Sequence, residues 1–126
     1  MQTTPESDGH ILLVDDDNSV RAFIAASLKA AGYRFFQAAS GPEALLLFQA
    51  HFDEIELVLT DIVMPGMFGD ELAMKLVELK PTIKIILMSG NPPGALETEI
   101  HIEPGVNFLQ KPFLVQDLRE CLAHHF

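Results

Sequence analysis

Apolar and polar positions follow two rhythms along this chain. Short, nearly continuous apolar runs stand at Ile11–Val14, Leu57–Leu59 and Ile83–Met88. Runs of this length, rich in Val, Ile and Leu, read as strands covered on both faces. Between them, apolar residues recur three and four apart, the spacing of one helical face. Val20, Phe23, Ile24 and Leu28 form the first such face, with Asn18 or Ser19 expected as its cap and Gly32 as its stop. Ser40-Gly41-Pro42-Glu43 carries a capping-box pattern with Pro in the first turn, and Leu45, Phe48 and Phe52 follow on one face. A third helix is predicted from near Gly69, with Leu72, Leu76 and Leu79 before Pro81. A last one runs from about Leu114 through Leu118, Cys121 and Leu122.

Two further strands are fainter. Tyr33–Ala38 is aromatic and follows a helix stop, and Asn107–Gln110 is very short. The stretch from Gly90 to Gly105 contains Pro92, Pro93, Gly94 and Pro104, which leaves room for a weak fourth helix over Ala95–Glu103. Five strands alternating with five helices predict an α/β fold with a parallel, doubly wound sheet and right-handed crossovers.

Composition narrows the class. At 126 residues and 48% apolar content, the chain is one globular domain. Polar Met1–Gly9 reads as a disordered leader or linker ahead of a domain at 10–126, and not as a signal peptide. The single cysteine, Cys121, excludes an internal disulfide and a cysteine-based zinc site, and its place on a helical apolar face predicts a buried, inert thiol. His10, His51 and His101 are scattered and form no zinc motif, and His124 and His125 near the C-terminus read as solvent or packing groups. No apolar run reaches the roughly 20 residues of a membrane helix, so a cytoplasmic chain without membrane contact is expected. Eight Lys+Arg against 18 Asp+Glu give a net charge of −10, which disfavours direct nucleic-acid binding.

The chemistry lies at the strand ends. In an open α/β sheet, ligands bind beyond the carboxyl ends of the strands. The first strand runs into Asp15-Asp16-Asp17, the third into Asp61, the fourth into Ser89 and the fifth into Lys111. Carboxylates brought together repel, and a divalent cation relieves that repulsion. Mg²⁺ suits the set, since it takes oxygen ligands, one or two carboxylates and several waters.

ILLVDDD, LVLTDIVMPG, ILMSG and FLQKPF, in that order and at strand ends, resemble the receiver domain of bacterial two-component response regulators. The resemblance covers about Ile11 to Phe126. It implies a flavodoxin-like (βα)5 fold with strand order 2-1-3-4-5. It implies Asp61 as phosphoacceptor, charged by a histidine kinase or histidine phosphotransfer protein. It implies Mg²⁺, with Mn²⁺ as the alternative, held directly by Asp16, Asp61 and the backbone carbonyl of Val63, and through water by Asp15. Ser89 would hydrogen-bond the phosphoryl oxygens, Lys111 would pair with them, and Phe108 occupies the switch-aromatic position. A cis Lys111-Pro112 bond is also implied. Such a domain is a signalling module that promotes only its own phosphorylation and dephosphorylation.

Departures from the family pattern carry expectations too. Phe113-Leu114 offers no side-chain cap for the last helix, a deficit of roughly 1 kcal/mol. Phe108 has no hydroxyl, so any switching acts through packing, and the ring is free to sit inward without phosphate. No Lys or Arg lies between Lys84 and Lys111, which disfavours charge-paired dimers on that face, so a monomer or weak dimer is expected. EPGV and FLQKPF look like receivers fused to hybrid sensor kinases, and a stand-alone receiver is the other arrangement. Two rivals remain. Asp15-x-Asp17 resembles the nucleophile motif of haloacid-dehalogenase-type phosphatases, and a degenerate receiver would act in docking alone.

Overall fold

The computed structural model describes residues 10–126, so the leader expected over Met1–Gly9 lies outside the described residues. Five strands, β1 (His10–Val14), β2 (Arg34–Ala38), β3 (Ile55–Asp61), β4 (Lys84–Ser89) and β5 (Phe108–Gln110), form one sheet in the order 2-1-3-4-5. Every pairing is parallel. Four helices connect and flank them: α1 (Asn18–Ala30), α2 (Gly41–Ala50), α3 (Gly69–Leu79) and α4 (Val115–Ala123).

Strand periodicity sorts the core into two layers. Ile11 and Leu13 of β1 face α1 and α4, packing with Ile24, Leu28, Leu118 and Leu122. Leu12 and Val14 face the other way, onto Phe48 of α2 and Leu72 and Leu76 of α3. A continuous Ile-Leu-Leu-Val run is therefore what a strand buried on both faces requires.

The caps differ from expectation in one place. Asp17, rather than Asn18 or Ser19, caps α1: its Oδ1 accepts from the backbone N–H of Ser19 at 2.9 Å and Val20 at 3.1 Å. A carboxylate fills this position at least as well as Asn or Ser, and it gains from the helix dipole. At α2, Ser40 Oγ accepts from Glu43 N–H at 3.2 Å, and the Glu43 carboxylate accepts from Ala39 N–H at 2.7 Å. At α4, Leu114 offers no acceptor, as expected, yet the Asp117 carboxylate accepts from Leu114 N–H at 3.0 Å. Half of a capping box is thus retained.

The fourth crossover corrects the expectation of five helices. Between β4 and β5 there is only a single 3₁₀ turn, Pro93–Ala95, and no helix over Ala95–Glu103. The segment instead alternates with a period of two. Leu96, Ile100 and Ile102 pack on Ile62, Ala73, Leu87 and Phe108, while Glu97, Glu99, His101 and Glu103 are exposed. On a helix, Ile100 and Ile102 would point about 200° apart; an extended chain places them on one side. Asn107 holds this strip in place. Its Oδ1 accepts from Glu103 N–H and its Nδ2 donates to the His101 carbonyl, both at 2.7 Å.

Candidate functional site

Because all strands run parallel, their carboxyl ends meet at one edge. The register aligns Val14 with Thr60, Asp61 with Met88, and Ser89 with Gln110. Asp15, Asp61, Ser89 and Lys111 are therefore carried to the same rim by backbone pairing alone. Asp15 and Ser89 are fully buried and Asp61 nearly so, at 8% exposure, whereas Asp16 is open to solvent.

Lys111 joins the two buried acids. Its Nζ lies 2.9 Å from Asp15 Oδ2 and 3.2 Å from Asp61 Oδ1. The other oxygen of Asp15 accepts from Asp17 N–H at 2.9 Å, which fixes the orientation of the carboxylate. One carboxylate oxygen each from Asp15, Asp16 and Asp61 lies within 4.8 Å of the other two. Three oxygen donors at that separation, one of them facing water, suit a hard divalent cation that keeps part of its hydration shell. Asp17, third in the acidic run, is spent on capping α1 and does not belong to this cluster.

The electrostatics favour a cation here. Burial pushes the Asp61 carboxyl above its ordinary range, the charges of Asp15 and Asp16 push the same way, and Lys111 only partly offsets them. For Lys111, burial alone would lower the pKa, but the hydrogen bond and charge of Asp15, followed by the charge of Asp61, outweigh it and raise the value. One ammonium is thus shared among three carboxylates, and the cluster has unmet negative charge.

Several supports were not evident from the motif residues. Arg21 Nη1 donates to the Asp15 carbonyl and Nη2 to Asn18 Oδ1, both at 2.7 Å, clasping the loop after β1. Thr60 Oγ1 donates to the Asp61 carbonyl at 3.0 Å. Gly69 backs the same carbonyl: a Cβ on this residue would overlap the Asp61 oxygen, and its N–H donates to Ile62 O at 2.7 Å. A glycine at a helix start that lacks a side-chain cap was the available signal, since Phe68 supplies no acceptor there.

The remaining candidates are placed as follows. Ser89 Oγ accepts from Asn91 N–H at 3.0 Å, which leaves the hydroxyl proton free to donate. Val63 has its side chain at the surface of the loop that follows Asp61. Phe108 is 2% exposed, packed among Ile62, Ala73 and Leu87 under the extended strip. The Lys111-Pro112 bond is cis, and Gly66 has a φ of 87°, as the Pro65-Gly66 turn requires. Beside Lys111, the residues Val20, Phe23, Pro112 and Phe113 line an apolar cleft of about 440 Å³. Cys121 is fully buried, and burial pushes its thiol up to about 11.

Comparison with known proteins bears on this arrangement. The family model described as the response regulator receiver domain matches residues 11–123. The receiver protein CpdR of Brucella abortus is 38% identical over 108 residues, covering 86% of this chain and 88% of that protein. The sensor kinase CckA of the same organism is 36% identical over 108 residues, and there the chain spans 86% of its own length but only 11% of the relative. Among solved structures, the receiver domain of the hybrid histidine kinase CckA aligns over 93% of this chain and 98% of its own at TM-score 0.77 and 32% identity. The response regulator TrrA of Thermotoga maritima, solved with Mg²⁺ and beryllofluoride, aligns over 94% of this chain and 99% of its own at TM-score 0.79 and 28% identity.

Proposed function

The chain belongs to the response regulator receiver domain family, and from that premise we propose that Asp61 is the residue that accepts the phosphoryl group. The observation that carries this reading is the Lys111 contact. The ammonium touches both Asp15 and Asp61, at 2.9 and 3.2 Å, at an edge where a third carboxylate is open to solvent. An Asp61 oxygen attacks the phosphorus of a phosphohistidine, the P–N bond breaks, and the imidazole leaves as an acyl phosphate forms. Positioning and charge neutralisation supply most of the catalysis in such a transfer.

The chain's own residues divide that work. Asp16, Asp61 and the Val63 carbonyl would hold Mg²⁺ directly, and Asp15 through water, with Mn²⁺ as the alternative ion. When bound, the cation neutralises phosphoryl charge. Lys111 Nζ exchanges its Asp61 contact for a phosphoryl oxygen, and Asp15 keeps it in place. The Ser89 hydroxyl donates to a second oxygen, a contact that exists only in the phosphorylated state and so biases the loop after β4. Phe108, already inward, responds by repacking beneath that loop.

Histidine kinases or phosphotransfer proteins are the donors on this reading. The apolar cleft beside Lys111 would admit them. A cytoplasmic location, a monomer or weak dimer, and no direct nucleic-acid contact are proposed with it. Attachment to a hybrid kinase and stand-alone action both have precedent among the relatives, since the match covers 11% of one and 88% of the other. The phosphatase alternative is disfavoured by Asp17, whose Oδ1 caps α1 and which stands outside the cluster of Asp15, Asp16 and Asp61.

The test is phosphoryl transfer. With Mg²⁺ and acetyl phosphate or a phosphohistidine donor, intact mass should show one phosphoryl adduct, and Asp61→Asn should abolish it. An adduct of equal yield on the variant would overturn the assignment, and no adduct on the native chain would point to a docking-only module. Millimolar Mg²⁺ should raise the melting temperature by mass action, and Asp16→Ala should remove that rise. A melting temperature indifferent to Mg²⁺ would count against the metal site.

A further inference from the structure

The absent fourth helix leaves a surface of its own. Where a helix would stand, the extended strip 96–103 runs beside α3, and a groove of about 650 Å³ opens between them. Its apolar lining comes from Phe68 and Met74, which are 57% and 42% exposed. Phe68 immediately precedes α3, and Met74 lies on the outer side of that helix, away from the buried Leu72 and Leu76. Large side chains left in water within one groove mark a surface that gains from being covered.

The rim is acidic. Asp70, Glu71 and Glu78 contribute from α3, and Glu97 and Glu99 from the strip, against Lys75 alone. The ion pairs among the described residues involve none of these five carboxylates. Five negative charges and one positive around an apolar groove create a local field that attracts cations and repels anions.

We propose that this groove docks a cationic segment of another protein, an apolar side chain flanked by lysines or arginines. The apolar side chain would sit between Phe68 and Met74, and the flanking cations would meet the two acidic rims. Apolar burial supplies affinity at the centre, and charge complementarity supplies steering and register at the edge. A second copy of this chain is a poor occupant, since it carries 18 acidic residues against eight basic ones. The groove is built from side chains outside the Asp61 cluster, so the proposal stands or falls separately from the phosphoacceptor reading.

The experiment uses the full chain, isotope-labelled, titrated with three short synthetic peptides and no phosphoryl donor. One carries a Phe or Leu flanked by Lys and Arg, one keeps the charges but replaces the apolar residue by Ser, and one replaces the cations by Glu. Amide shifts should be confined to 68–78 and 96–99 with the first peptide. Binding should weaken by about tenfold with the second and vanish with the third. Glu97→Lys with Glu99→Lys should cost the first peptide about tenfold. The same reversal at Asp53 and Glu120, both exposed and elsewhere on the surface, should leave it nearly unchanged. Shifts spread over the whole acidic surface, equal losses from both pairs of reversals, or equal affinity for the first two peptides would reduce the effect to diffuse charge attraction and overturn the proposal. So would a dimer at the working concentration that protects 68–78.

Discussion

The third and fourth crossovers leave the same edge of the sheet from adjacent strands and cover it by different means. From β3, the chain passes through α3, which buries Leu72, Ala73 and Leu76 completely and meets its own backbone hydrogen bonds. From β4, it passes through one 3₁₀ turn and an extended strip whose apolar residues, Leu96, Ile100 and Ile102, are only partly buried. That strip borrows side chains for order: Asn107 ties both His101 and Glu103, and Thr98 Oγ1 accepts from Ile100 N–H at 3.2 Å. Low burial and few backbone bonds place a segment at the weak end of local stability. The firm crossover follows Asp61, the proposed phosphoacceptor, whose attacking oxygen would have to be held still. The loose one follows Ser89 and lies over Phe108, the residues through which the proposed response would be made. The contrast teaches that one edge of a sheet can be covered by a firm and a loose connection side by side, and under the proposed function positioning would fall to the first and response to the second.

The largest expected effect tests that contrast through burial. Leu72→Ala removes a fully buried side chain from the layer beneath α3 and should cost about 2–5 kcal/mol. Ile100→Ala removes a partly buried one from the strip and should cost about 1 kcal/mol. Urea denaturation of both variants gives the comparison directly. Equal losses would mean that the strip is as firmly packed as the helix.

Next comes the same substitution made in both crossovers. Gly69 sits against the Asp61 carbonyl, so Gly69→Ala must displace backbone at Asp61 and should cost about 1–3 kcal/mol. Gly94, in the 3₁₀ turn, has open space where a Cβ would stand, and Gly94→Ala should stay within about 0.5 kcal/mol. The first should also depress the yield of phosphoryl adduct, and the second should not. A Gly69→Ala chain of native stability and full adduct yield would show that the close approach to Asp61 is not needed.

Much of this was legible in the residues, for a topological reason. A parallel sheet sends every strand's carboxyl end to one rim, so residues far apart in sequence, such as Asp15 and Lys111, are brought to 2.9 Å without any detail of packing. What stayed hidden depended on local backbone direction. In Asp15-Asp16-Asp17, three identical side chains receive three fates: Asp15 is a buried lysine partner, Asp16 a solvent-facing member of the acidic cluster, and Asp17 a helix cap. In Leu96–Glu103, the four-residue step from Leu96 to Ile100 fits a helix as well as a strand. The two-residue step from Ile100 to Ile102 was the discriminating signal, since no single helical face holds both. Gly69 after the capless Phe68 marked an unusual helix start, but that the glycine makes room for Asp61 is a tertiary contact the local pattern does not name.

The smallest expected effect compares the two residues from which these crossovers depart, and here the signs should differ. Asp61 is held above its ordinary value of 3.8, first by burial and then by Asp15 and Asp16, even with Lys111 pulling the other way. A folded-state pKa above the unfolded one favours the fold below pH 3.8, and that benefit is lost as pH rises through the folded value. At neutral pH, without metal, ionised Asp61 therefore costs stability. Asp61→Asn should melt higher than the native chain in EDTA at pH 7, and the gain should shrink as pH approaches 4. Ser89 carries no charge, and its Oγ is the acceptor for Asn91 N–H. Ser89→Ala should lose about 0.5–1.5 kcal/mol, with no change across the same pH window. Adding Mg²⁺ should reverse the first result, since on the proposed metal site the cation would favour the ionised native cluster and find one ligand fewer in the variant, while the Ser89→Ala difference stays put. An Asp61→Asn chain that melts below the native one in EDTA at pH 7, or a gain indifferent to pH, would show that the Lys111 contact already balances the charge buried at this edge.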